Sequence, residues 1–461
     1  MKSRVFSGLS WSTLDYVLMI TIQLASLICY TRILDPESYG LFAFCTIFST
    51  FGNSVFALGM APALIRARAE FKYYANVAWT ANLFISIIAF IVLNLFLPGI
   101  MSFLDQDFQD VNIEIRATLT VVIISGFNNI GVVEFMKNIY LKPILFYNTI
   151  PKLLAFIVGI CLAFYGYAHW ALILALILEA CLRVFISYII CGYRPAWEFD
   201  LTKFSYLYQF GGWLQLKNIV SWISSQIDSI AMVAVSNTAG LGYYNRSVTI
   251  SRLLENSVLK VINTVTYPYM SERKNIVNYN ERLVSTIMGA VLLIMIYINI
   301  MVFRFGSNFI LWFFGEGWVE IMIYLPLLIF AGTVQSVVNI YQPLIRVLGR
   351  TKLEFLLFAF KSVLLILLLF ALIPSYSVRG ILYSIIIANI ATVGLMFCSL
   401  NYISTNTIRP VIKSIMPAIF FFLLAACFNP SNIYFELVYL HSAFLLSVYF
   451  ISNRLRKLIM L

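Results

Sequence analysis

Arg246, Arg252, Glu255 and Lys260 fall inside one stretch, GYYNRSVTISRLLENSVLKVINTV, of a chain that is otherwise mostly apolar. Guanidinium and ammonium groups recognise phosphate and carboxylate, and a carboxylate beside them can pair or exchange a proton. Wound at about 100° per residue, Asn245, Thr249, Arg252, Asn256, Lys260 and Asn263 share an arc of roughly 80°. Intramembrane bases normally face a bundle interior or a water-filled cavity, and a polar face this long asks for an elongated wet space. The chemistry it suits is the binding of an anion rather than the making of a bond.

A second set precedes it. Lys217, Ser221, Ser224 and Asp228 recur at the spacing of one helical face, and near the N-terminus Asp15, Gln23, Ser26 and Tyr30 do the same. Lys217, Arg246, Arg252, Lys260 and Asn256 are therefore the candidates for substrate binding, and Asp15, Asp228 and Glu255 those for coupling or gating. A structural alternative treats Lys217 with Asp228, Arg252 with Glu255, and Glu179 with Arg183 as ion pairs that fix helix packing. It leaves Lys260, Arg246 and the asparagines unexplained. The seven cysteines, Cys29, Cys45, Cys161, Cys181, Cys191, Cys398 and Cys427, contain no CxxC pair and read as small core hydrophobes. His169 and His441 are too far apart to suggest a metal site.

The elements that must position these groups are membrane spans. Of 461 residues, 61% are hydrophobic and 11% charged, and the mean hydropathy is +0.90. Soluble domains carry roughly 25% charged residues, so lipid is the solvent for most of this chain. Apolar runs of about 20 residues, the length needed to cross ~30 Å of hydrocarbon, recur about fourteen times, among them 39–62, 116–137, 353–373 and 379–402. The formal charge of +11 is spread in small groups between these runs, which argues against a nucleic-acid partner. Counted over the loops, Lys and Arg alternate in a way that places both termini in the cytoplasm. The first apolar run lacks a small-residue cleavage signal and reads as a retained span.

Two halves resemble each other. GLSWSTLDYV with LDPESYGLFAF answers FGGWLQLKNIV with SNTAGLGYYNR, pairing Trp11 with Trp213 and Gly40 with Gly242 at the same offset. Each half starts inside and holds six spans, so the repeat is parallel, one of the transporter plans. The expected organisation is an all-α integral membrane protein: a six-helix lobe at 1–199, a second at 200–405, a cavity between the lobes, and an appended helix pair at 406–461.

The segments TRILDPESYGLFAF, QIDSIAMVAVSNTAGLGYYNRSVTI, VTYPYMSE and YLPLLIFAGTVQSVVNIYQPLIRVLGRTK resemble the polysaccharide-transporter branch of the multidrug/oligosaccharidyl-lipid/polysaccharide exporter superfamily, the Wzx-type O-antigen flippases. That resemblance implies a multi-pass protein of the bacterial inner membrane that moves an undecaprenyl-diphosphate-linked oligosaccharide from the cytoplasmic to the periplasmic leaflet. It also implies cavity Arg and Lys that hold the diphosphate or acidic sugars, carried here to Lys217, Arg246, Arg252 and Lys260. Membrane lipids and other polysaccharide assembly proteins are the further partners it implies. No cofactor is expected, and the energy source, a coupling ion or the membrane potential, stays open. Two alternatives remain: an integral-membrane O-antigen polymerase or acyltransferase, and a cation-coupled drug exporter of the same superfamily.

Overall fold

The computed structural model describes residues 2–67, 71–102, 111–272 and 277–403, together with Met416, Leu440, His441, Phe444, Ser447 and Val448. All regular structure among them is helical. The appended pair expected at 406–461 falls, apart from these six positions, outside the described residues.

The helices are α1 (Lys2–Ile33), α2 (Pro36–Val55), α3 (Met60–Arg66), α4 (Phe71–Met101), α5 (Asn112–Gly126), α6 (Val132–Lys137), α7 (Lys142–Phe164), α8 (Ala168–Ile190), α9 (Leu201–Val233), α10 (Thr238–Glu272), α11 (Val277–Phe313), α12 (Leu325–Val347) and α13 (Thr351–Ile403), with a 3-10 turn at Glu316–Ile323. α13 is two helices joined at Ser377, whose φ of 49° and ψ of −128° are non-helical. Pro374 lies just before, where it removes a backbone donor. The two halves match the separate spans expected around 353–373 and 379–402. The all-α membrane architecture read from the sequence is the one observed.

Two expected spans are broken rather than continuous. The run at 39–62 divides into α2 and α3 at Gly59, whose φ of 65° is left-handed. A Cβ at Gly59 would stand 2.5 Å from the Gly211 carbonyl oxygen, so both the turn and the close approach of α9 need glycine. The run at 116–137 divides into α5 and α6 around Asn129. Its Oδ1 accepts the Gly131 N–H at 2.9 Å, its Nδ2 donates to Tyr193 O at 2.8 Å, and its own N–H donates to Ser187 Oγ at 3.0 Å. Asparagine replaces the backbone bonds that the break forfeits, as irregular backbone at membrane depth demands.

By their contacts the chain forms two compact units, one of Met1–Tyr243 with Phe313–Trp318, the other of Tyr244–Trp312 with Val319 onward. The sequence repeat turns over at 199/200, but compactness follows packing, and α9 packs along α2, α3 and α4 in the first unit. The core there includes Leu58, Met60, Leu64, Trp79, Leu83 and Leu207. The linker into α9 runs extended, with its donors met by side chains: Ala196 N–H by Asn76 Oδ1 and Glu198 N–H by Thr80 Oγ1. α9 then starts on an N-cap, Asp200, which accepts from Thr202 N and Lys203 N. The second unit's core gathers Val291, Leu293, Val338, Tyr341 and Ile345. α12 ends in a Schellman turn in which Gly349, at φ 71°, follows the cap and Arg350 N–H returns to Ile345 O at 3.0 Å.

Candidate substrate-binding site

Among the described residues, eight helices are long and apolar enough to cross a membrane. α9 at 33 residues and α10 at 35 have the length but are not among the eight. Unpaired polar groups in hydrocarbon cost several kcal/mol each, ~4–8 on an alkane scale, so helices of this kind turn their polar faces to protein or water. These two carry seven of the eight expected site residues, Asp15 being the exception.

On α9, Lys217 is exposed, while Asp228 is buried and accepts the N–H of Ser229 at 2.8 Å. They lie three turns apart on one helix, about 16 Å along its axis at ~1.5 Å per residue. The Lys217–Asp228 pair considered from the sequence therefore does not form, because no side chain spans that rise. Asp15 of α1 faces α7, accepting from Asn148 Nδ2 at 3.1 Å and Thr149 Oγ1 at 3.3 Å. The third pair considered does form: Arg183 meets Glu179 at 2.6 Å one turn away on α8. Arg183 also stands 5.7 Å over the Tyr147 ring, and the Tyr147 hydroxyl donates to Asn128 Oδ1 at 3.2 Å. Arg183 Nε, although buried, has no hydrogen-bond partner among the described residues.

On α10 one side is buried and another open. Ser247, Val248, Ser251 and Leu259 are buried, whereas Arg252 and Asn256, one turn apart, are exposed and Asn245, Arg246 and Thr249 are intermediate. The expected polar face is thus real in its central turn. Lys260 comes next on the same helix, but its side chain lies outside the described residues.

Glu255 points the other way. Its Oε1 accepts from Asn339 Nδ2 of α12 at 2.9 Å, and Gly332 of the same helix lies alongside, a Cβ there standing 3.3 Å from Oε2. The network continues: Gln335 Nε2 donates to Asn339 Oδ1 at 3.1 Å, and Lys361 Nζ of α13 donates to Gln335 Oε1 at 2.7 Å. Lys361 and Arg252 both act electrostatically on Glu255. Two neutral amides thus bridge a lysine and a glutamate across three helices. Sequence reading missed Lys361, Gln335 and Asn339, although a lone Lys in LLFAFKSVLLILLLF is the signal that a membrane-embedded charge needs a partner.

Lys217 in the first unit, and Arg252 and Asn256 in the second, are exposed groups that can donate hydrogen bonds. The family described as "Polysaccharide biosynthesis protein" matches residues 30–323. A relative from Escherichia coli (strain K12), the lipopolysaccharide biosynthesis protein WzxC, is 21% identical over 389 residues, covering 79% of this chain and 74% of its own. Among solved structures, the lipid II flippase MurJ in an inward closed conformation superposes with a TM-score of 0.76 at 13% identity, covering 98% of this chain and 99% of that one. An inward-facing multidrug resistance MATE transporter of the MOP superfamily reaches a TM-score of 0.58 at 16% identity, with coverage of 86% and 94%. At such identities these structures establish the fold.

Proposed function

Because the chain belongs to the polysaccharide biosynthesis protein family, we propose that it is a flippase that carries an undecaprenyl-diphosphate-linked oligosaccharide from the cytoplasmic to the periplasmic leaflet of the bacterial inner membrane. The names of the relatives, one a lipopolysaccharide biosynthesis protein and one a lipid II flippase, support a transported lipid-linked glycan in preference to catalysis on it. In this reading both termini are cytoplasmic, and the protein exposes its binding groups to one face of the membrane and then to the other.

The observation that carries the reading is the character of α9 and α10. They are as long as spans, too polar to be ordinary ones, and present Lys217, Arg252 and Asn256 outward. A diphosphate that entered hydrocarbon alone would lose its hydration, which is prohibitive for an isolated charge. Lys217, Arg246, Arg252 and Lys260 replace that water while the polyprenyl tail stays in lipid. Glu255, Asp228 and Asp15 are the groups through which coupling or gating would act.

The test uses the purified full chain in liposomes that carry a fluorescent polyprenyl-diphosphate glycan, with sidedness read by a membrane-impermeant quencher. Transfer between leaflets that depends on the protein is the expected result. A glycan that is lengthened or acylated instead of moved would overturn it. So would a gene deletion that leaves no lipid-linked glycan on the cytoplasmic face and sensitises cells to drugs.

A further inference from the structure

Within the first unit, α2 and α9 flank an open cleft of about 300 Å³ lined by Asn53, Ser54 and Ala57 on one side and Asn218, Ser221, Trp222 and Ser225 on the other. Its volume is at the lower end of the ~300–1,000 Å³ of small-molecule clefts. No charged group lines it, so neither an anion nor a metal ion is its natural occupant. It is also too rich in amides and hydroxyls for an apolar drug.

What each side chain offers can be worked out from its partners. Asn53 Oδ1 accepts the Ser125 hydroxyl at 2.7 Å, which leaves its NH2 group without a hydrogen-bond partner among the described residues. Trp222 donates its indole N–H to Thr50 Oγ1 at 3.3 Å and stands edge-on to Phe51 at 4.8 Å. Its nitrogen is thereby occupied, and it presents carbon surface in a fixed orientation. Asn218, Ser221 and Ser54 have no hydrogen-bond partner among the described residues, and the first two are exposed. A half-polar wall of this kind, donors and acceptors set around a rigid aromatic surface, matches one ligand chemistry: a ring with hydroxyls at its rim and C–H bonds on its faces.

We infer that this cleft is a sugar subsite, which holds a neutral ring of the glycan next to the diphosphate. The inference rests on the flippase reading above. The placement comes from α9: Lys217 and Ser221 are one turn apart, on the same face, so a diphosphate at Lys217 would put the adjoining sugar beside Ser221, Asn218 and Trp222.

The experiment measures binding to the full chain in nanodiscs of polyprenyl diphosphates that carry a single glucose, galactose or N-acetylglucosamine, with the sugar-free lipid as control. Wild type should bind at least one glycosylated lipid more tightly than the bare one. Asn218→Leu with Ser221→Val should erase that preference, weakening the glycosylated lipid by about tenfold for two lost hydrogen bonds and leaving the bare lipid unchanged. Ser221→Ala alone should give an intermediate loss, and the exposed positions should leave thermal stability at wild-type level. A double variant that keeps the preference, or that weakens bare and glycosylated lipid equally, overturns the subsite. Wild type that binds none of the lipids, bare or glycosylated, overturns the flippase reading beneath it.

Discussion

Replacing Gly40 by alanine should push apart the starts of α2 and α10. A Cβ there would lie 1.7 Å from the carbonyl oxygen of Thr238 and 2.6 Å from its carbon, and one at Gly242 would lie 1.9 Å from Pro36 O and 3.0 Å from Gly40 N. These glycines are equivalent positions of the sequence repeat, and they pack against each other's helix. Because the opposing atoms are backbone, no rotamer change relieves the clash, and α2 must move from the start of α10 by more than about 1 Å to restore ordinary contact. The same junction is closed by Trp318, whose ring stands 5.3 Å from Tyr39 and 5.9 Å from Tyr243, so the movement also loosens an aromatic cluster. Overpacking costs ~1–3 kcal/mol where side chains can adjust, and Gly40→Ala should reach or exceed the upper end. Gly394→Ala is the control, since its Cβ would meet nothing within 4 Å and mid-helix alanine is favoured over glycine by ~1 kcal/mol. Thermal unfolding in detergent should fall for the first variant and rise for the second. Shifts of the same sign would refute the argument from backbone contact.

The polar groups carry further expectations. Arg252→Ala should abolish surface polysaccharide with protein abundance near wild type, and Arg252→Ala with Glu255→Ala should fail too. Recovery of export in the double variant would mean that Arg252 only neutralises Glu255. Lys361→Met should destabilise by about 3 kcal/mol, the scale for stranding one member of a buried pair, while Lys361→Met with Glu255→Gln should cost less than the sum of the single changes. Additivity within ~0.5 kcal/mol in thermal melts would deny the network. Asp200 is held below the usual carboxylate range, first by the Thr202 hydroxyl and then by the Lys203 backbone N–H. A depressed folded value means its contribution is complete above the unfolded value and is lost as pH falls through the folded one. Melting curves taken as pH falls through the carboxylate range should therefore lose part of their acid sensitivity in Asp200→Asn.

The sequence was most informative where one helix carries the signal. Apolar length located the spans from α1 to both halves of α13, and the wheel of 243–266 put the exposed Arg252 and Asn256 opposite the buried Ser247. It was uninformative where partners come from distant segments. Glu255 and Asn339 are 84 positions apart, and a wheel drawn on α10 alone cannot reveal that α12 brings Asn339 to Glu255. The wheel also misled about Lys217 and Asp228, because a shared face says nothing about rise along the axis. The breaks after α2 and α5 escaped for a different reason. Hydropathy averages over the turn, whereas the break is set by Gly59 against Gly211 and by three hydrogen bonds of Asn129.

The placing of charge bears on how a carrier can let go of its ligand. Binding must be favourable enough to admit a ligand and weak enough to release it. Lys361 and Glu255 are half-buried, bridged through Gln335 and Asn339, where their mutual attraction is little screened and serves the packing of α10, α12 and α13. Lys217 and Arg252 are exposed, each with an asparagine within a turn, and exposed ionic contacts contribute only ~0–1 kcal/mol apiece. Contacts of this size, like neutral hydrogen bonds of ~1 kcal/mol each, can be broken one at a time. A single buried cation would bind a diphosphate more strongly and trap it. On the proposed flippase reading, removing Lys217 or Arg252, both exposed, should change turnover, whereas removing Lys361, held by Gln335, should change stability.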